Sequence, residues 1–191
     1  GRLIVATNQN DILHRTLQTG VATPEPVRPS ISPSMDIQVS SNFERALFLA
    51  HEGDAAAVAE LMAAQKAGRP FAIAPEALAR LRAAFASGRV SEEETRATIA
   101  RTHARTGELL CPHSAVGVAV AERHVGAAPM VTLATAHPAK FPDAVEAATG
   151  IRPPLPERMA GLHSRPERVT RIANDLGRLR ALILERIGQA A

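Results

Sequence analysis

Leu3-Ile4-Val5-Ala6-Thr7, running straight into Asn8-Gln9-Asn10-Asp11-Ile12-Leu13, decides the fold. A continuous apolar run that passes directly into a polar loop reads as a buried strand of a parallel sheet covered on both faces. Such a strand needs neighbours, and one other stretch, Met130-Val131-Thr132-Leu133-Ala134, reads as a strand with equal force. Two strands do not make a stable α/β domain. The expectation is therefore an α/β fold, parallel-sheet strands covered by helices, forming the C-terminal portion of a larger fold whose earlier strands precede residue 1. The absence of Met at position 1 agrees with that expectation.

Between these strands the signals are helical. Ser41-Asn42-Phe43-Glu44 has a capping-box pattern, so a helix is predicted from near residue 42. Asp54 opens an Ala-rich helix carrying Val58, Leu61 and Met62, which should stop before Gly68-Arg69-Pro70. Pro75 stands at a first helical position ahead of Leu78, Leu81 and Phe85, with an end predicted at Ser87-Gly88. Ser91 caps a further helix through about His103. A peripheral helical layer is thus expected near 54–105, inside a region 1–150. Residues 151–191 read as a linker and docking helix, with Val169, Ile172, Leu176, Leu179, Ile183 and Ile187 at helical spacing and a bend expected at Gly177.

Composition narrows the function classes. The 191 residues are 46% hydrophobic and 21% charged, as in globular proteins, but 37 are Ala and none is Trp or Tyr. No apolar run approaches the roughly 20 residues that span a bilayer, and the N-terminus lacks a signal-peptide layout, so a cytoplasmic protein with no membrane partner is expected. Cys111 is the single cysteine, which excludes an internal disulfide and a cysteine-cluster metal site. The net charge of +3 comes with 20 Arg against two Lys, Lys66 and Lys140. So small an excess, without aromatic stacking residues, argues against nucleic-acid binding. His113 and His124 would share a face only if one helix spanned both, and with no third ligand no metal site is expected.

Three loops are too polar and specific to be plain connectors. Asn8-Gln9-Asn10-Asp11 follows the opening strand, on the sheet edge where parallel folds bind ligands; the same residues also suit turn and helix-cap geometry. Residues 23–37 hold four prolines between Pro24 and Pro33, a composition that gives a defined extended path rather than a flexible linker. Thr135-Ala136-His137-Pro138-Ala139-Lys140-Phe141 follows the second predicted strand.

Together with Ser32-Pro33-Ser34-Met35-Asp36-Ile37, Ser40-Ser41-Asn42-Phe43-Glu44-Arg45 and Pro112-His113-Ser114-Ala115-Val116-Gly117, these loops occur in an order that resembles the C-terminal half of the threonine synthase family, from residue 1 to about 150. Thr16 and Val21 stand where family members often carry aromatic residues, Cys111 where Asp is usual, and Ser114 where Thr is more common, with the hydroxyl retained. The resemblance implies the C-terminal part of a fold type II, tryptophan-synthase-β-like enzyme. With pyridoxal 5'-phosphate, such an enzyme, a lyase of threonine biosynthesis, converts O-phospho-L-homoserine and water to L-threonine and phosphate. Alternatives are a noncatalytic scaffold homologue or another fold type II lyase.

The resemblance also assigns roles. Thr135 would lie beside the cofactor's ring nitrogen, where a neutral hydroxyl bonds the nitrogen without forcing its protonation. The family's cofactor lysine lies upstream in a Phe-Lys-Asp context, as does its Gly-Asn-rich phosphate loop. Lys140 is therefore not the cofactor lysine, and these 191 residues alone should lack catalysis. Asn8, Asn10, Asp11, Ser34, Asp36, Ser41, Asn42, His137 and Lys140 are candidates for contacting substrate or for bracing the site from behind; bracing is the expectation for the polar residues that begin the helices.

Overall fold

The structure is a computed structural model that describes residues 1–188. Two compact units divide it, Gly1–Pro154 and the segment from Leu155 onward. Every candidate residue lies in the first.

The first unit is organised on β1 (Leu3–Thr7). It pairs in parallel with β4 (Phe85–Arg89), in a register that sets Leu3 against Phe85 and Thr7 against Arg89. The alternation of side chains across a strand explains the apolar run. Val5 and Phe85 face a core of Leu17, Leu47, Phe71, Leu78 and Leu81. Ile4 and Ala6 face the opposite way, against Val90, Val116 and Val120. Both faces are covered, as parallel pairing requires. A smaller antiparallel pair, β2 (Val21–Ala22) with β3 (Phe71–Ala72), closes the first core.

Helices supply the covering layers. α1 (Ile12–Thr19), α2 (Phe43–Ala50), α3 (Ala55–Lys66) and α4 (Pro75–Ala84) contribute Leu17, Leu47, Val58, Leu78 and Leu81 to one core. α6 (Pro112–Glu122) lies on the other sheet face, and α5 (Glu92–Thr106) joins it and α7 (Pro142–Thr149) around Ile99, Ala115 and Val145. The caps at Asp54 and Ser91 are in place: the Asp54 carboxylate accepts from the Ala56 and Ala57 amides at 3.0 Å, and Ser91 Oγ from Glu94 N at 3.1 Å.

Several expectations are corrected. Residues 130–134 form no strand: Val131 and Leu133 are exposed, and Thr132 instead lies against Gly117 of α6. The partner of β1 is Phe85-Ala86-Ser87-Gly88-Arg89, where the sequence pattern predicts the end of a helix. That helix stops at Ala84, so strands interrupt the expected helical layer of 54–105. Ser41 makes no capping box, because α2 begins at Phe43 and Asn42 Oδ1 instead accepts from the Arg45 guanidinium at 2.9 Å. α6 ends before His124, so His113 and His124 do not share one helix.

In the second unit α8 (Leu176–Gly188) starts seven residues after Val169, where the Asp175 carboxylate accepts from Arg178 N at 2.8 Å and caps it. Gly177 sits in its first turn rather than at a bend. Among the described residues no helix is long and apolar enough to cross a membrane.

Candidate active site

The site begins where β1 and β4 end together. Val90 N donates to Thr7 O at 2.9 Å and Thr7 Oγ1 to Gly88 O at 3.1 Å, so the sheet holds until the chain turns at Asn8. Asn8 is 2% exposed and Asn10 3%. Polar groups this deeply buried are tolerated only with their hydrogen bonds made. The Pro-rich loop makes them. Asn8 Nδ2 donates to Asp36 Oδ1 at 2.8 Å and to Ser30 Oγ and Ser32 Oγ at 2.9 Å. Asn10 Nδ2 donates to Asp36 Oδ1 at 2.9 Å and to Arg28 O at 2.8 Å, while its Oδ1 accepts from Arg28 N at 2.8 Å. Asp36 also accepts from Ser30 N at 2.8 Å and Ser30 Oγ at 2.5 Å. The Glu92 carboxylate takes Ile31 N at 3.0 Å and anchors the same loop to the start of α5.

Asp11 lies beside this network with Arg15 Nε at 2.8 Å and Arg89 Nη1 at 3.3 Å. Burial works to raise its pKa, but the two guanidiniums outweigh it and hold Asp11 below the ordinary aspartate value. It braces α1 and β4 rather than capping α1 with its side chain.

The N-terminus of α6 carries the connection onward. Ser34 N donates to His113 Nε2 at 3.1 Å, and the His113 ring meets Phe141 with centroids 4.6 Å apart. Ser114 Oγ accepts from Thr135 N at 3.2 Å, and Cys111 Sγ contacts Ser114 Oγ at 3.2 Å and caps the helix through Ser114 N. Burial, aided by the Lys140 charge and opposed by Asp36, holds His113 below the usual imidazole range. It is a neutral group at physiological pH.

One chain of contacts thus runs from Asn8 and Asn10 through Asp36, Ser30 and the Ser34 turn to His113, Ser114 and the Thr135–Phe141 loop. Thr135 is exposed and held by its backbone, and among the described residues its hydroxyl has no hydrogen-bond partner. His137 is exposed, with Nδ1 capping the 3-10 turn Pro138–Lys140 through Ala139 N at 3.1 Å. Lys140 is exposed, its Nζ 5.8 Å from the Phe141 centroid. Ser41 and Asn42 do not join this chain of contacts. Residues joined here that the sequence does not offer as site candidates are Ser30, Ser32, Glu92, His113 and Ser114, the last two marked there only within a family-like motif. The available signal was Pro112-His113-Ser114 itself, a polar pair directly after a proline at a helix start.

The residues present fit one end of pyridoxal phosphate. An exposed neutral hydroxyl with a fixed backbone, at Thr135, suits a pyridine nitrogen as donor or acceptor.

Residues 114–183 match the family described as Threonine synthase, C-terminal. The threonine synthase of Pseudomonas aeruginosa is 48% identical over 185 residues, which is 95% of this chain and 39% of that protein. The crystal structure of PLP-bound threonine synthase from Brucella melitensis superposes with a TM-score of 0.86 at 50% identity, over 95% of this chain and 39% of that one. Yeast threonine synthase gives 0.81 at 31% identity, over 98% of this chain and 42% of that one. The chain spans about two fifths of the length of these relatives. Over nearly all of its length, in sequence and in fold, the chain is similar to threonine synthases, and residues 114–183 match the C-terminal region of that family.

Proposed function

We propose that this chain is the C-terminal portion of a pyridoxal-phosphate-dependent lyase that converts O-phospho-L-homoserine and water to L-threonine and phosphate in the cytoplasm. The observation that carries the reading is the hydrogen-bonded connection of the Asn8–Asp11, Ser32–Ile37 and Pro112–Gly117 segments to an exposed Thr135 that Ser114 holds. In this reading residues 1–150 belong to the catalytic region and 151–191 to a linker and docking helix. The partner is the N-terminal part of the same enzyme, which supplies the cofactor lysine and phosphate loop.

Bound pyridoxal phosphate supplies an electron sink for carbanions at Cα and Cβ of the substrate. This chain's residues hold the geometry in which that sink works. Thr135 Oγ1 would offer the ring nitrogen a neutral hydroxyl, which does not impose protonation as a carboxylate would. Ser114 fixes the Thr135 backbone. Asn8, Asn10 and Asp36 brace the wall behind the site, Asp11 holds α1 to β4, and Lys140 and His137 lie on the loop where an anionic substrate group would be received.

The full-length protein with pyridoxal phosphate should release threonine and phosphate from O-phosphohomoserine. Tight cofactor binding with turnover of a different amino acid only would overturn the assignment. The 191 residues alone should form no threonine, and borohydride should fix no cofactor on Lys140. Stoichiometric labelling of Lys140 with threonine formation would reverse the reading of that lysine.

A further inference from the structure

His113 is the least explained polar group in the first unit. It is 9% exposed, and its Nδ1 is buried with no hydrogen-bond partner. A buried imidazole with one unpaired nitrogen costs stability that an apolar ring would not, since Phe would keep the tilted ring contact with Phe141 and bury no unpaired nitrogen. What Phe cannot do is accept the Ser34 amide. That bond, Ser34 N to His113 Nε2, ties the turn that ends in Asp36 to the first turn of α6. The adjoining Ser114 holds Thr135 N. Two consecutive residues of one rigid helix therefore fix two loops that are a hundred residues apart in the chain.

We propose that His113 is a positioning residue: its neutral ring, accepting from Ser34 at Nε2 and lying on Phe141, sets the spacing between the Asn8–Asp36 network and the Thr135 loop. Acceptance at Nε2 requires the proton to reside on Nδ1, and protonation of the ring turns Nε2 into a donor that repels the Ser34 amide. The charged groups facing the ring are Lys140, on the turn beside Phe141, and Asp36, after the Ser34 turn. Lys140 disfavours the imidazolium and Asp36 favours it, and burial sides with Lys140, so the clamp is closed at neutral pH and opens on acidification.

The inference rests on the proposed cofactor role of Thr135, and the two are separable by experiment. Full-length holoprotein is compared as wild type, His113→Phe and His113→Gln by amide hydrogen exchange over residues 30–37, corrected for the intrinsic pH dependence, and by kcat and KM. His113→Phe should raise exchange at the Ser34 amide about tenfold, the loss of roughly one hydrogen bond, with α6 protection unchanged and kcat lowered more than KM is raised. His113→Gln restores an acceptor that does not titrate. It should recover Ser34 protection and keep it below the imidazole range, where wild type loses it. Wild-type protection in a folded His113→Phe protein, or acid loss in His113→Gln equal to wild type, would overturn the proposal. Should His113→Phe fail to fold, the comparison of His113→Gln with wild type across pH decides alone. Exchange needs no turnover, so a wild type that makes no threonine sinks the functional reading while the clamp is still judged by its amides.

Discussion

Adding one methyl at Gly88 should loosen the site without touching it. Gly88, the fourth of the five residues of β4, lies beneath α6, and a Cβ built there would sit 2.7 Å from Val120 Cγ1 and 3.1 Å from Cγ2. Ordinary carbon contacts lie near 3.5–4.0 Å, so the overlap is about 1 Å. Val120 is fully buried and β-branched, with essentially one χ1 rotamer available in a helix, so it cannot swing aside. Either α6 lifts or β4 shifts, and overpacking of this kind costs about 1–3 kcal/mol. Val120→Ala alone removes two methyls and should cost about 1.6 kcal/mol in transfer energy, with a cavity contribution in addition. In the double variant Gly88→Ala/Val120→Ala the new methyl occupies the vacated space, so the pair should be less destabilised than the sum by about 1 kcal/mol or more.

Urea unfolding of the full-length protein, with m held equal across the set, measures each corner of the cycle. Because α6 carries His113 and Ser114, Gly88→Ala should also deprotect the Ser34 and Thr135 amides, and Val120→Ala should reprotect them. Free energies that add within about 0.3–0.5 kcal/mol would refute the claimed contact.

Other perturbations probe the remaining links. In the full-length enzyme Thr135→Ala should lower turnover while shifting stability by no more than about 0.5 kcal/mol, as for an exposed residue, and Thr135→Asp should change the cofactor absorbance; unchanged spectra and rates in both folded variants would remove Thr135 from the cofactor. Asn8→Asp places a second carboxylate against Asp36, so it should destabilise at neutral pH and recover on acidification, because the folded state then binds the proton more tightly than the unfolded chain; urea midpoints at neutral and mildly acidic pH test this. Asp11 has its pKa lowered in the fold, so its contribution to stability is full above the ordinary aspartate value of 3.8 and is lost as pH falls through the lowered value. Asp11→Asn should accordingly flatten that acid limb, as read by thermal unfolding across pH.

The opening strand was legible because Ile4, Val5 and Ala6 are apolar on both faces, which only a doubly covered strand can use. Its partner was hidden for a local reason. Phe85-Ala86-Ser87-Gly88-Arg89 contains no β-branched residue, and it follows a helix with no intervening proline or turn glycine. Gly88 meets Val120 of α6 too closely for a side chain, a tertiary requirement that no local pattern carries. Conversely, Met130-Val131-Thr132-Leu133-Ala134 has strand composition and no strand to pair with among the described residues, so packing overrode propensity. The caps at Asp54 and Ser91 were readable since each acts within three residues. The contacts of His113 reach 79 residues back and 28 forward and could not be read that way.

The polar residues of the site divide by how completely the fold consumes them. Asp36 accepts from Asn8, Asn10 and Ser30, the last through both amide and hydroxyl, so no carboxylate oxygen remains without a donor. A ligand recruiting Asp36 would have to displace those bonds to its carboxylate, each a charge-assisted bond worth about 1.5–3 kcal/mol. Thr135, His137 and Lys140 face the opposite situation: all three are exposed, and the backbone that carries them is pinned by Ser114, by the His137 cap and by Phe141 on His113. A loop whose backbone is already ordered can bind without the cost of ordering that backbone. Contact with cofactor and substrate is therefore expected from the Thr135–Lys140 loop. The Asn8 and Asp36 loops set where that loop stands, and α6 transmits the setting through His113 and Ser114.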